Sequence, residues 1–138
     1  MNENEMKVKH LEMIQDVIKR MANNSLNIKG WLVAIITACL IFVSKDYSKY
    51  CLLATFILIF GFLVLDAKYL QYERKYRQLY SIVIKKEKTD FSMSTDIEEI
   101  KSNKRNYLIK CVFSISVALP YLLILLYNLA LFLIAFYC

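Results

Sequence analysis

The sequence predicts an all-α integral membrane protein that has a transmembrane hairpin, a third span and a cytoplasmic helical extension continuous with the second span. Three observations favour this class. Hydrophobic residues make up 58% of the 138 residues, against about 45–50% in ordinary soluble domains. The chain has only 2 glycines and 1 proline, so strong helix breakers are rare. Charged residues are absent from three long stretches: residues 30–44, 50–65 and 111–138.

Residues 1–22 predict an amphipathic helix on the cytoplasmic side of the membrane. Apolar side chains recur along it at steps of three, four and three, which places one apolar stripe on a helix. These side chains are Leu11, Ile14, Ile18 and Met21. The polar run at residues 23–25 predicts an interruption, after which Ser25 or Asn27 would cap a new helix.

Residues 26–65 predict a hairpin of two membrane spans joined by a short polar connection. The uncharged core of the first span is residues 30–44, with Lys29 and Lys45 at its two ends. This core is shorter than the roughly 20 residues needed to cross the hydrocarbon. The two lysines would lengthen the span because their side chains can reach the opposite surfaces. Residues 50–65 then turn back through the bilayer as the second span.

The helix of the second span is predicted to continue into water as a coiled-coil-like helix over residues 66–88. No glycine or proline interrupts this segment, and most of its residues are good helix formers. Its apolar positions alternate in steps of three and four, which is the spacing of a coiled-coil seam. The seam consists of Phe62, Leu65, Tyr69, Tyr72, Tyr76, Leu79 and Val83.

The middle of this seam is a candidate interface for another copy of the chain or for a cytosolic protein. Tyrosine combines an apolar ring with a polar tip, which suits a partly polar contact. The candidate interface residues are Tyr69, Tyr72, Tyr76 and Leu79. The alternative is that this helix and the amino-terminal helix pack on one another, with residues 97–100, as a small bundle within the chain.

Residues 89–95 predict a loop, and Thr95 followed by Glu98 fits a capping box for the next helix. Residues 96–138 then predict one helix that runs without a break into the third span. Its uncharged part would be about 42 Å long, which is too short for two spans of about 30 Å each. A single tilted span, bent near Pro120, fits better, with a four-span arrangement as the alternative.

The distribution of lysine and arginine predicts the orientation of the chain. Residues 1–29 carry five and residues 67–110 carry eleven, whereas the hairpin connection has only Lys45 and Lys49. The positive-inside rule therefore places the amino terminus and the middle segment in the cytoplasm. Topology and anionic lipid also account for the net charge of +6, so we do not expect nucleic acid as a partner.

The sequence contains no combination of residues that indicates catalysis. The one histidine, His10, lies in the charged amphipathic segment, and the four cysteines lie in or beside apolar stretches without CxxC spacing. These patterns predict neither a zinc site nor a disulfide framework. We therefore expect no enzyme activity and no cofactor or metal.

Charged side chains near the end of the second span are candidates for coupling or for ion pairs. A carboxylate such as Asp66 at the end of a membrane span costs free energy unless it is hydrated or paired. Lys29 or Lys68 could pair with it, and ordinary interfacial hydration is the alternative. Glu73 and Arg77 lie four residues apart, in the favourable order for an ion pair along a helix.

Asn128 is the strongly polar side chain of the predicted third span. In lipid, such a side chain seeks a partner on a neighbouring helix. Two readings remain open: a residue that associates subunits or lines a pore, and a single hydrogen bond between helices of one chain.

Two stretches on either side of the predicted hairpin carry a family resemblance. Residues 23–31 read NNSLNIKGW, and residues 65–80 read LDAKYLQYERKYRQLY. With the amphipathic helix before them, they make residues 5–85 similar in layout to SLATT-type small membrane proteins, which are predicted effectors encoded beside nucleotide-signalling and other bacterial anti-phage genes. A third span departs from the two-span pattern of that family.

The resemblance implies an oligomer in the bacterial inner membrane that is held inactive until a partner or signal acts on its cytoplasmic side. It would then perturb the membrane, for example by opening a pore. The alternative hypothesis, from another class, is a non-conducting membrane anchor that recruits a cytosolic enzyme.

Overall fold

The computed structural model describes residues 2–42, 48–86, 88, 90–96 and 104–137. These residues form four helices and, within the described ranges, no strand, which confirms the predicted all-α class. The helices are α1 (Glu3–Phe42), α2 (Ser48–Lys85), α3 (Lys104–Val112) and α4 (Ile115–Tyr137).

α1 is one continuous helix of 40 residues, so the predicted interruption at residues 23–25 is wrong. Asparagine and serine each cost at most about 0.7 kcal/mol relative to alanine in a helix, and packing along α2 outweighs this. Ser25 therefore lies inside the helix rather than at a cap, and its hydroxyl bonds to Asp66 of α2.

α2 is one unbroken helix of 38 residues that contains both the second apolar stretch and the polar extension after it. Its length is about 57 Å at 1.5 Å per residue. At its carboxyl end, the ammonium group of Lys7 donates to the carbonyl oxygens of Ile84 and Lys86, at 2.8 Å each. A cation placed there satisfies carbonyls that a helix leaves open and favours the negative end of its dipole.

Among the residues that the structure describes, two segments are long and apolar enough to cross a membrane: Tyr50–Lys85 in α2 and Ile115–Ile134 in α4. α4 has 23 residues, or about 35 Å, which matches a hydrocarbon core of about 30 Å. The predicted first span corresponds to the carboxyl end of α1. Its last two residues, 43 and 44, lie outside the described residues.

The predicted unbroken helix over residues 96–138 is wrong at Phe113 and Ser114, where a turn separates α3 from α4. The turn is closed by hydrogen bonds from the Ser114 N–H to the Cys111 carbonyl (3.1 Å) and from Val117 to the Ser114 carbonyl (2.9 Å). Pro120, near which a bend was predicted, lies inside α4. Residue 96, the predicted start of this helix, is not helical, and Glu98 of the capping box falls on residues 97–103, outside the described ranges.

The core has two parts, both of which involve α1 and α2. The first packs α1, α2 and α4 together and contains Leu32, Ile36, Ile59, Val117 and Tyr121. The second packs the amino-terminal half of α1 on the extension of α2 and contains Ile14, Leu79 and Val83. The polar contacts that connect the helices lie between and beside these two parts.

Candidate functional site

A buried ion pair joins α1 to α2 between the two parts of the core. The ammonium nitrogen of Lys29 lies 2.6 Å from Oδ2 of Asp66. The Ser25 hydroxyl donates to Oδ1 of the same carboxylate at 2.5 Å and accepts from Lys29 at 2.7 Å. The Asp66 side chain is fully buried, whereas that of Lys29 is 18% exposed. We name Ser25, Lys29 and Asp66 the junction cluster.

Helix geometry accounts for the junction cluster. Ser25 and Lys29 lie one turn apart, so they share a face of α1, and Asp66 is the first charged residue after the apolar run of α2. Of the two partners predicted for Asp66, the structure places Lys29 against it and leaves Lys68 exposed. Sequence reasoning missed Ser25, although its four-residue spacing from Lys29 was a usable signal.

The energetics of the junction cluster favour a role in positioning. Burying each ion costs several kcal/mol, and the attraction offsets this only when geometry is good and further hydrogen bonds are made. Asp66 has the Lys29 ammonium against Oδ2, as an ion pair without a hydrogen bond, and accepts a further hydrogen bond from Ser25 at Oδ1. The cluster therefore fixes the alignment of α1 along α2, since sliding either helix would separate the buried carboxylate from its partners.

A third helix reaches the same region through Tyr121 of α4. Its side chain is buried, and its hydroxyl donates to the carbonyl of Phe62 at 3.1 Å. Phe62 lies one turn before Asp66 on α2. The junction cluster and this bond therefore place α1 and α4 on α2 at nearly the same level.

A second polar contact ties α2 to the turn between α3 and α4. Nη2 of Arg74 donates to the Ser114 hydroxyl at 2.9 Å, and Nη1 lies 3.9 Å from the sulfur of Cys111. Burial raises the pKa of the Cys111 thiol and of the Tyr107 phenol above their ordinary values. Both groups therefore stay neutral beside the guanidinium at physiological pH. No local pattern in the sequence indicates this contact, because its partners are about 40 positions apart.

Glu73 and Arg77 form the predicted ion pair along one face of α2. Nε and Nη2 of Arg77 lie 2.9 and 2.7 Å from the same Glu73 oxygen. The Arg77 side chain is 63% exposed, so the pair contributes only about 0.3–0.5 kcal/mol. It therefore supports the helix itself.

The four predicted interface residues divide into two groups. Leu79 is 1% exposed and packs against Ile14, with Tyr76 beside it, so these two belong to packing within the chain. Tyr69 is half-buried, while Tyr72 is 47% exposed and has the Lys75 ammonium 5.6 Å from its ring centroid. The surface available to a partner therefore centres on Tyr72.

Asn128 makes a contact within the chain rather than lying on its surface. Its side chain is 1% exposed, and its amide nitrogen donates to the Thr55 hydroxyl of α2. Thr55 in turn donates to the carbonyl of Leu52 at 2.6 Å. Of the two readings left open by the sequence, the structure therefore shows the hydrogen bond between helices of one chain.

His10 anchors residues 90–96 against α1. The imidazole is fully buried, and its Nε2 lies 3.1 Å from the carbonyl oxygen of Ser92. Its ring centroid is 5.5 Å from that of Phe91, whose φ of 52° lies in the left-handed region. Asp90 accepts a hydrogen bond from the Ser92 N–H at 3.0 Å, which holds the pKa of Asp90 below its usual range. A structural role accounts for this histidine.

Within the described ranges, no three His, Cys, Asp or Glu side chains come close enough to hold a metal ion. Comparison with protein-family models, curated protein sequences and solved structures finds no match to this chain. Membership of the SLATT-type family therefore stays a prediction.

Proposed function

We propose that this chain is an oligomeric protein of the bacterial inner membrane that acts as a pore-forming or membrane-disrupting effector in anti-phage defence. One observation carries the membrane part of the proposal: the chain's own fold covers little of its two apolar segments. Only 28% of the window in α2 and 17% of that in α4 is buried. A core helix of a soluble protein would be mostly buried, so these surfaces need lipid or further copies.

The proposed topology has three spans. Besides α2 and α4, the carboxyl end of α1 would enter the membrane, where Trp31 and Val33 are 62% and 52% exposed. The excess of lysine and arginine places the amino terminus and the α2 extension in the cytoplasm. The junction cluster would then lie near the cytoplasmic surface of the membrane.

The continuity of α1 and α2 supports triggering from the cytoplasmic side. Each helix takes part in the cytoplasmic core around Ile14 and Leu79 and continues past the junction cluster into its apolar end. A partner that binds beside Tyr72 and shifts α1 along α2 would therefore displace the proposed spans. Such sliding of packed helices is a common switching motion.

A pore would require several copies of the chain. Three spans can pack against one another but cannot surround a water-filled channel by themselves, so the proposed pore is a property of a homo-oligomer, for which closed rotational symmetry is the common arrangement. The resemblance to SLATT-type proteins supports the same expectation of an oligomer.

The test is dye release from liposomes and depolarisation of cells that express the full chain. We expect activation to release dye and to collapse the membrane potential, and we expect Lys29→Met to change the fraction released because it disrupts the junction cluster. Lys68→Met, which removes the same charge from an exposed position of α2, should leave release unchanged. If the chain inserts into the membrane, and the membrane potential of expressing cells does not collapse during phage infection, the pore proposal is wrong.

The second candidate is a non-conducting anchor that recruits a cytosolic enzyme, which the exposed Tyr72 on the α2 extension favours. An anchor would leave the membrane sealed and would co-purify with its partner. Tyr72→Ala should then abolish co-purification without a change in helicity.

A further inference from the structure

An apolar groove of about 370 Å³ runs between α2 and α4. Its lining includes Phe56, Phe60, Leu63, Phe113, Leu122 and Leu125. Phe60 and Leu122 are 68% and 57% exposed, so the groove is open along its side. On α2, the lining extends over two turns between Phe56 and Leu63, or about 10 Å. An open groove lined by apolar side chains suits a hydrocarbon chain.

A guanidinium group lies beside one part of the groove lining. Val112 and Phe113 line the groove, and they lie in the chain between Cys111 and Ser114, the two residues that Arg74 contacts; Ser114 accepts a hydrogen bond from it at 2.9 Å. Arginine has five N–H donors, and within the described ranges Arg74 uses them only on Ser114 and on the sulfur of Cys111. No carboxylate in those ranges pairs with it. The exposed Lys110 lies one turn before Ser114.

Arg74 is half-buried and has no counter-ion within the described ranges, and an arginine in that setting favours an anionic ligand. Partial burial removes some of its hydration, and a hydrogen-bonded anion is the partner that best offsets that loss. Phosphate oxygens accept two parallel bonds from a guanidinium. The donors of Arg74 that have no partner in the described part of the chain would supply such bonds while its contact with Ser114 is kept.

From this juxtaposition we propose that one anionic phospholipid occupies the site, with a segment of its acyl chain in the groove and its phosphate on Arg74. This inference rests on the proposed membrane placement of α2 and α4. The groove opens from apolar segments whose surroundings would be lipid, and the guanidinium lies at their cytoplasmic end. Basic pockets between spans on that side of a membrane are suited to anionic head groups.

The test uses the full chain in nanodiscs that contain equal amounts of phosphatidylglycerol and phosphatidylcholine with identical acyl chains. Native mass spectrometry of the released protein measures the ratio of the two lipids that remain bound. We expect phosphatidylglycerol to be retained preferentially and Arg74→Gln to reduce that preference about fivefold, the effect of one basic residue near an anionic surface. The charge-matched control Lys68→Gln, at an exposed position of the same helix, should keep the preference.

A second variant tests the groove itself. Leu122→Trp fills the groove and should reduce retention of both lipids, whereas Leu126→Trp, half exposed on α4 and outside the lining, should not. Circular dichroism confirms that each variant keeps its helicity. If Arg74→Gln and Lys68→Gln reduce the preference for phosphatidylglycerol equally, the attraction is non-specific, and the proposed site is overturned.

Other occupants give distinguishable results. Loss of a dimer, rather than of lipid, in Leu122→Trp would show that a second copy fills the groove and would overturn the proposal. Millimolar glycerol phosphate or inorganic phosphate should compete less effectively than phospholipid. If they compete equally well, the site binds a head group without an acyl chain, and the proposal is overturned. Flotation with vesicles separates the two proposals: a chain that floats without lipid preference refutes this site alone, and one that does not float refutes the membrane placement as well.

Discussion

Replacing Lys29 with methionine would leave the carboxylate of Asp66 buried without its counter-charge. At the observed separation of 2.6 Å, the attraction is about 6 kcal/mol for an effective dielectric constant of about 20. Much of this normally offsets the desolvation of the two ions. In the variant, the desolvation of Asp66 remains while the attraction is lost, so we expect the free energy of unfolding to fall by about 3–5 kcal/mol.

The reverse variant should cost less because the two side chains differ in burial. Asp66→Asn leaves an unpaired Lys29, but that side chain is already 18% exposed and can extend its ammonium to water. We expect a loss of at most about 2 kcal/mol, from the weaker hydrogen bonds of a neutral acceptor. The double variant should be more stable than the sum of the single effects by about 1–3 kcal/mol.

The free energies follow from the loss of helical circular dichroism in micelles as the fraction of denaturing detergent rises. Lys68→Met is the matched control, because it removes the same charge from an exposed position of α2 and should change stability by less than about 0.5 kcal/mol. If Lys29→Met costs less than about 1 kcal/mol, or if the two single effects simply add, the junction cluster does not hold α1 to α2.

Three further outcomes test other parts of the structure. Leu79→Ala should lower the free energy of unfolding by about 2–5 kcal/mol in the same denaturation assay, whereas Tyr72→Ala should change it by less than about 0.5 kcal/mol. Equal effects would contradict the division of the seam into a buried part at Leu79 and an exposed part at Tyr72. Thr55→Val should cost about 1–3 kcal/mol, because it leaves the buried amide nitrogen of Asn128 without an acceptor, and unchanged stability would argue against that bond. Because the lowered pKa of Asp90 favours its charged form in the folded state, its contribution to stability is present above the ordinary aspartate pKa and is lost as pH falls through the lower folded value. The protection of the Ser92 amide against hydrogen exchange, measured relative to the unstructured rate at the same pH, should fall over that pH range, and no such fall should occur in Asp90→Asn.

The features that sequence could predict are those that depend on neighbouring residues. The continuity of α2 follows from the absence of glycine and proline and from the good helix formers of its extension. Pairing of Lys29 with Asp66 was one of two options, because both residues border apolar runs that must lie at similar depth. The three-and-four spacing placed Leu79 and Tyr72 on one stripe but could not show which part α1 would cover.

The features that sequence missed depend on contacts between distant residues. Ser25 has the residue type of a helix cap, and only Asp66, 41 positions away, shows why it lies inside α1. The turn at Ser114 has a similar origin, since its side chain is held by Arg74, 40 positions earlier. Local propensity contains no information about either partner, so a prediction from neighbouring residues favours a break in α1 and continuity in the last helix.

The polar contacts along α2 determine which helix movements are separable. Thr55, Phe62 and Arg74 connect α2 to α4 and to the turn before it. Asp66 connects α2 to α1, and Lys7 of α1 donates exposed hydrogen bonds to carbonyls at the carboxyl end of α2. Sliding of α1 therefore breaks the junction cluster and the exposed bonds of Lys7, whereas separation of α4 breaks three contacts that are buried or partly buried. A cytoplasmic signal that acts through α1 thus breaks buried polar contacts at fewer sites than one that separates α4 from α2. On this reasoning, Lys29→Met should alter dye release at lower trigger levels than Thr55→Val, and the opposite order would place the moving contact between α2 and α4.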